Sequence, residues 1–139
     1  MISVIFFSLL SISNPTCEFK SEGLTIAGLP FSSPNLGMVE KLESCEIWKE
    51  DSDILLLRVQ SPKEGTSSLR ESTTLFILKK DSSQNWREAF HYVTEQRVYP
   101  SNKSSTQAEV LKFPLELKRD KDGKVFVVLA AVDEKIQIK

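Results

Sequence analysis

An antiparallel all-β fold, a sandwich or partly open barrel of about six or seven strands, is what this 139-residue chain predicts. Three observations point there. Strand-length apolar runs alternate with short polar turns from Leu42 to the C-terminus. Helical stretches between those runs are absent, which argues against a parallel βαβ arrangement. Apolar residues make up 40% of the chain and charged residues 27%, enough apolar material for a core and more than a disordered chain carries. The length is that of one domain.

In chain order, the first element is a leader. Met1 to Ile12 is apolar except for Ser3, Ser8 and Ser11. It is too short to span a membrane as a helix, which takes roughly 20 residues, and it matches the apolar core of a secretory signal, about 7–15 residues. Ser11 and Ser13 are small residues placed for a cut before Asn14. Residues 1–13 therefore read as a cleaved signal peptide, and the protein as exported to the periplasm, the cell surface or the medium. No Lys or Arg precedes the apolar run, and a buried N-terminal strand is the competing reading. A surface lipoprotein anchored through Cys17 is another. The residues before that cysteine, Asn14, Pro15 and Thr16, depart from the Leu-small-small pattern of a lipidation site.

Residues 14–41 read as an irregular segment, with Pro15, Pro30 and Pro34 among Gly23, Gly28 and Gly37. Within it "GLTIAGL" suggests a short strand. "NLGMVEKLESC", Asn35 to Cys45, is a weak helical candidate, with Leu36, Val39 and Leu42 at helical spacing.

Residues 42–139 read as the antiparallel β domain. "LESCEIWK", the turn Glu50 to Asp53 and "ILLLRVQ" form one hairpin; the loop Ser61 to Glu71 leads to "STTLFILKK". After the turn "DSSQN", Trp86 to Tyr99 has residues at helical spacing (Trp86, Phe90, Val93, Arg97) as well as a strand alternation (Phe90, Tyr92, Thr94); its aromatic and β-branched content favours the strand. The hairpin from Leu75 to Val93 resembles the sheet hairpin of nuclear transport factor 2-like proteins. That fold also has long N-terminal helices, which this chain lacks, so no residue role is carried over. "VLKFPLELK" alternates, with Leu111, Phe113, Leu115 and Leu117 on one face; Pro114 lacks an N–H and marks an edge strand or a bulge. "VFVVLAAV", Val125 to Val132, is apolar on both faces and reads as the central strand.

The net charge of −1, with cations scattered among acids, argues against binding nucleic acid or an anionic membrane; a membrane role is left only through lipidation. No cofactor motif or phosphate-binding glycine loop occurs. One histidine and two cysteines cannot make a four-ligand zinc site. Asp120, Asp122 and Gly123 in "RDKDG" fit turn chemistry better than a calcium loop, and Glu50, Asp51 and Asp53 fit a solvated hairpin tip. Asn102-Lys103-Ser104 is a glycosylation sequon.

Cys17 and Cys45 are the only cysteines, and in an exported chain they are expected to form one disulfide. No catalytic constellation is visible. The sequence thus points to a small exported binding or structural module of unknown ligand, whose partner is a protein or a small molecule and whose strand near Pro114 offers an edge for pairing. The alternative is a small hydrolase using His91 with nearby carboxylates, since an unperturbed histidine titrates near neutrality. That chemistry needs a nucleophile held against the imidazole, and no G-x-S-x-G motif is present.

Overall fold

The computed structural model describes residues 16–20, 23–100 and 107–139. The proposed leader and the Asn102 sequon lie outside the described residues. Every regular element among the described residues is a strand, and every pairing is antiparallel. Strands β1 (Cys17–Lys20), β2 (Gly23–Ile26) and β3 (Leu29–Phe31) form a first three-stranded sheet. Strands β4 (Lys41–Ile47), β5 (Ile54–Gln60), β6 (Leu69–Lys80), β7 (Trp86–Tyr99) and β8 (Glu109–Lys112) form a five-stranded sheet in sequence order. Strands β9 (Leu115–Arg119), β10 (Val125–Leu129) and β11 (Glu134–Gln137) form the third. Each strand pairs only with chain neighbours, so every sheet is a meander.

The strand alternation of β5 and β6 explains how three small sheets share a core. Leu55, Leu57, Val59, Phe76 and Leu78 cluster with Leu24, Ile26 and Phe31 of the first sheet. The intervening Ile54, Leu75 and Ile77 cluster with Val125, Val127 and Leu129 of the third sheet, and with Ile138. Successive side chains on a strand point to opposite faces. The two clusters therefore lie on opposite faces of the five-stranded sheet. Burying each such aliphatic or aromatic side chain stabilises by roughly 1.5–3 kcal/mol.

This arrangement corrects several expectations. The segment expected to be irregular holds three short strands, and the candidate helix Asn35 to Cys45 is a turn followed by β4. The described strands number eleven, beyond the six or seven expected. "VLKFPLELK" is not one strand: it breaks at Phe113 and Pro114, and its halves are edge strands of two different sheets. The strand apolar on both faces is not Val125 to Val132. In β10 the burial alternates, and Ala130, Ala131 and Val132 are exposed in a turn. Two-sided burial belongs to β5 and β6, because only the central sheet has another sheet on each face. Trp86 to Tyr99 is the longest strand among the described residues.

Two hairpins close by the same device. Asp120 accepts bonds at Oδ1 from the N–H groups of Asp122 and Lys124, both at 2.9 Å. Asp81 accepts at Oδ1 from Ser83 and Asn85, at 2.8 and 3.0 Å. The short acid stands in for backbone acceptors in a tight turn. The fourth position of each turn has positive φ: Gly123 at 83° and Gln84 at 65°.

Candidate functional site

His91 and its nearest carboxylate both sit on β7, on the face that carries the first sheet. Glu88 Oε2 lies 3.3 Å from His91 Nδ1. The imidazole stacks on Phe76 at 5.8 Å between ring centroids and is about half exposed. Glu88 has two further partners: Ser33 Oγ donates to its Oε1 at 2.5 Å, and Asn35 Nδ2 to its Oε2 at 2.7 Å. A carboxylate thus stands between the hydroxyl and the imidazole. In nucleophilic catalysis the base lies between nucleophile and acid, so that it can take the hydroxyl proton. Here the hydroxyl donates to the acid, and the set ties the loop after β3 to β7.

At the far end of the central sheet a second polar group lies on the other face. The Tyr99 hydroxyl donates to Glu71 Oε1, Gln60 Nε2 donates to Glu71 Oε2 at 2.7 Å, and Lys63 Nζ stands 4.1 Å from the centre of the Tyr99 ring. The hydrogen bond to Glu71 holds the Tyr99 phenol above its ordinary pKa, because it favours the protonated form. Arg97 pairs with Glu95 at 3.1 Å, and that charge raises the guanidinium pKa further.

Beside this group is a shallow hollow lined by Glu43, Arg58, Thr73, Thr94, Glu95 and Lys112. All five strands of the central sheet contribute to it. Sequence reading did not single out this set. Its one signal was Arg58, a lone charge inside the apolar run "ILLLRVQ".

Cys17 and Cys45 are bridged, with Cα atoms 6.1 Å apart, joining β1 to β4. The acids at the hairpin tips are engaged locally. Asp51 pairs with Arg119 at 3.1 Å and accepts a bond from the Asp53 N–H, while Asp120 is used within its turn.

No family model matches this sequence, and no curated protein or solved structure is significantly similar to it.

Strand β8 is the outer strand of the central sheet. All four of its residues are exposed, including Val110 at 45% and Leu111 at 40%. The Phe113 N–H bonds to the Thr94 carbonyl at 2.8 Å, towards β7. By strand alternation, the N–H groups of Lys112 and Val110 point away from β7.

Proposed function

We propose that this chain is a small exported module that binds a partner and carries out no chemistry on it. In this reading residues 1–13 are a cleaved leader, the three sheets stack as a layered sandwich, and the partner is an extended segment of a second protein that adds to β8. The observation that carries the reading is the β8 edge: outward-facing backbone donors at Val110 and Lys112, flanked by exposed apolar side chains. Extended peptides add to such edges through main-chain hydrogen bonds, with side-chain contacts setting specificity. Lys112 has no described ion-pair partner, so a strand with an acidic residue opposite it is the complementary one. The disulfide supports export, because such bridges persist in oxidising compartments. It also uses the sulfur that lipidation of Cys17 would require. The Glu88 arrangement speaks against the His91 hydrolase, since the carboxylate is tied by Ser33 and Asn35.

Val110→Pro tests the reading. Proline removes only an outward N–H there, so pairing with β7 is kept while the edge loses a donor. The wild-type protein is expected to capture a partner from the exported proteins of its host, with crosslinks on β8 and protection of the Val110 and Lys112 amides from exchange. Val110→Pro should lose that capture. Equal capture by the variant would overturn the edge reading. Hydrolysis of a chromogenic ester that His91→Ala abolishes would restore the enzyme.

A further inference from the structure

We propose that the hollow centred on Arg58 is a binding site for a small amino carboxylate, a molecule with a carboxylate and an ammonium group close together. Arg58 Nε is buried, and among the described residues it is the one buried side-chain nitrogen or oxygen that makes no hydrogen bond. A buried donor left unpaired is costly, and more so when it belongs to a charged group, so native folds rarely keep one without a use. The planar fork of a guanidinium matches the two oxygens of a carboxylate, and Arg58 lines the hollow.

The surroundings are built rather than incidental. β4 carries a bulge between its pairs Leu42↔Val59 and Ser44↔Arg58, which leaves Glu43 as the extra residue beside Arg58. β7 carries another between Thr74↔Val93 and Thr73↔Glu95, which leaves Thr94 as the extra residue. Both extra residues line the hollow. Bulges re-aim side chains, and here two of them on separate strands converge on one place. The third sheet packs on this face around Ile54, Leu56, Leu75, Ile77, Phe90 and Tyr92, and the hollow beyond them stays open. It holds about 240 Å³, room for an amino acid and little more.

Charge selects the ligand class. Glu95 is neutralised by Arg97 at 3.1 Å. That leaves Arg58, Lys112 and Glu43, none of them in a described hydrogen bond or ion pair. Two cations and one anion suit a carboxylate that meets Arg58 and Lys112 while its neighbouring ammonium meets Glu43. A phosphate dianion would bring its second charge against Glu43, and like charges that close repel. The hydroxyl of Thr73, a buried residue, is a further polar group in the wall. The proposal does not rest on strand addition at β8, although both readings draw on Lys112.

Amide and Arg58 Nε–H shifts in the disulfide-intact protein test the proposal, titrated at constant ionic strength with L-alanine, propionate and inorganic phosphate. L-Alanine is expected to shift Thr73, Thr94 and Arg58 saturably in the millimolar range, propionate more weakly, and phosphate not at all. Arg58→Lys should weaken L-alanine roughly tenfold or more, because lysine cannot present the fork. Lys112→Gln, on an exposed strand where folding is not at stake, should weaken both carboxylates several-fold. Glu43→Gln should bring L-alanine down to the level of propionate. Absence of a saturable shift with L-alanine overturns the site. Undiminished binding in Lys112→Gln does so as well. Phosphate binding more tightly than the carboxylates, or propionate matching L-alanine in the wild type, overturns the ligand class.

Discussion

The first and third sheets are both three-stranded antiparallel meanders, and each covers one face of the same central sheet, yet they are held differently. The first offers three buried apolar side chains, Leu24, Ile26 and Phe31. It is also tied covalently by Cys17–Cys45, and the loop that follows it is tied by Ser33 and Asn35 to Glu88. The third offers Val125, Val127 and Leu129, with Ile138 after β11, and no covalent tie. Its polar fastenings are Arg119, which pairs with Asp51, donates to the Glu50 carbonyl at 2.6 Å and lies over Trp48, and Arg87 of β7, which donates to the Lys139 carbonyl at 3.0 Å. Three-stranded units of so few residues bury too little surface to be stable alone. Short sheets can thus cover a core by either of two routes: a crosslink with a polar tie, or a denser apolar face.

If the third sheet is held by packing, the largest effect in the molecule should come from its centre. Val127 is fully buried on the middle strand. Val127→Asp should cost about 4 kcal/mol or more, through lost burial and an unpaired charge. Chemical denaturation measures it, and a midpoint equal to wild type would show that this sheet does not seal the core.

The covalent tie comes next. Replacing Cys17 and Cys45 together with serine opens a loop spanning 28 positions. The loss expected from chain entropy is about 3–4 kcal/mol. Amide exchange should accelerate first in β1 to β3, with β9 to β11 little changed. Uniform acceleration across the chain would erase the distinction between the two sheets.

The polar ties are smaller and should rank in the order of their burial. Glu88→Ala releases both loop donors at a site only 18% exposed, and should cost about 1–2 kcal/mol. Arg119→Ala removes a pair whose arginine is 36% exposed, and should cost about 0.5–1 kcal/mol, less at high salt. Thermal denaturation of the two variants side by side checks the order.

The smallest effect concerns the turns. Glycine suits a left-handed position and glutamine does not. Gln84→Gly should therefore raise stability by about 0.5 kcal/mol, whereas Gly123→Ala should lower it by about 1 kcal/mol. A loss of stability in Gln84→Gly would mean that the glutamine side chain makes a contact worth more than the relief of its backbone.

Much of this was written locally. The strand-length runs Ile54 to Gln60 and Leu75 to Lys80 and the Asp-led turn at Asp120 to Lys124 follow from residues a few positions apart. The strand count fell short because β1 to β3 are three or four residues long and punctuated by Gly23, Gly28 and Pro30, a pattern that also describes a loop. The candidate helix failed because Leu36, Val39 and Leu42 pack against the first cluster from a turn and a strand. An apolar spacing records burial, and burial does not require a helix.

The all-β class, the turn chemistry and the pairing of the only two cysteines were legible in the chain itself, each set by short-range preference or by simple count. Which apolar strand is buried on both sides, and which polar residues meet, depended on the assembled fold. Val125 to Val132 has the more apolar string, but β5 and β6 are flanked by sheets on both faces, and the number of neighbours available to a strand is a property of the assembled layers. Glu43, Arg58, Thr94 and Lys112 stand on four different strands, brought together by two bulges. Ladder register and bulge position depend on contacts between segments far apart in the chain, so no local pattern could have gathered them.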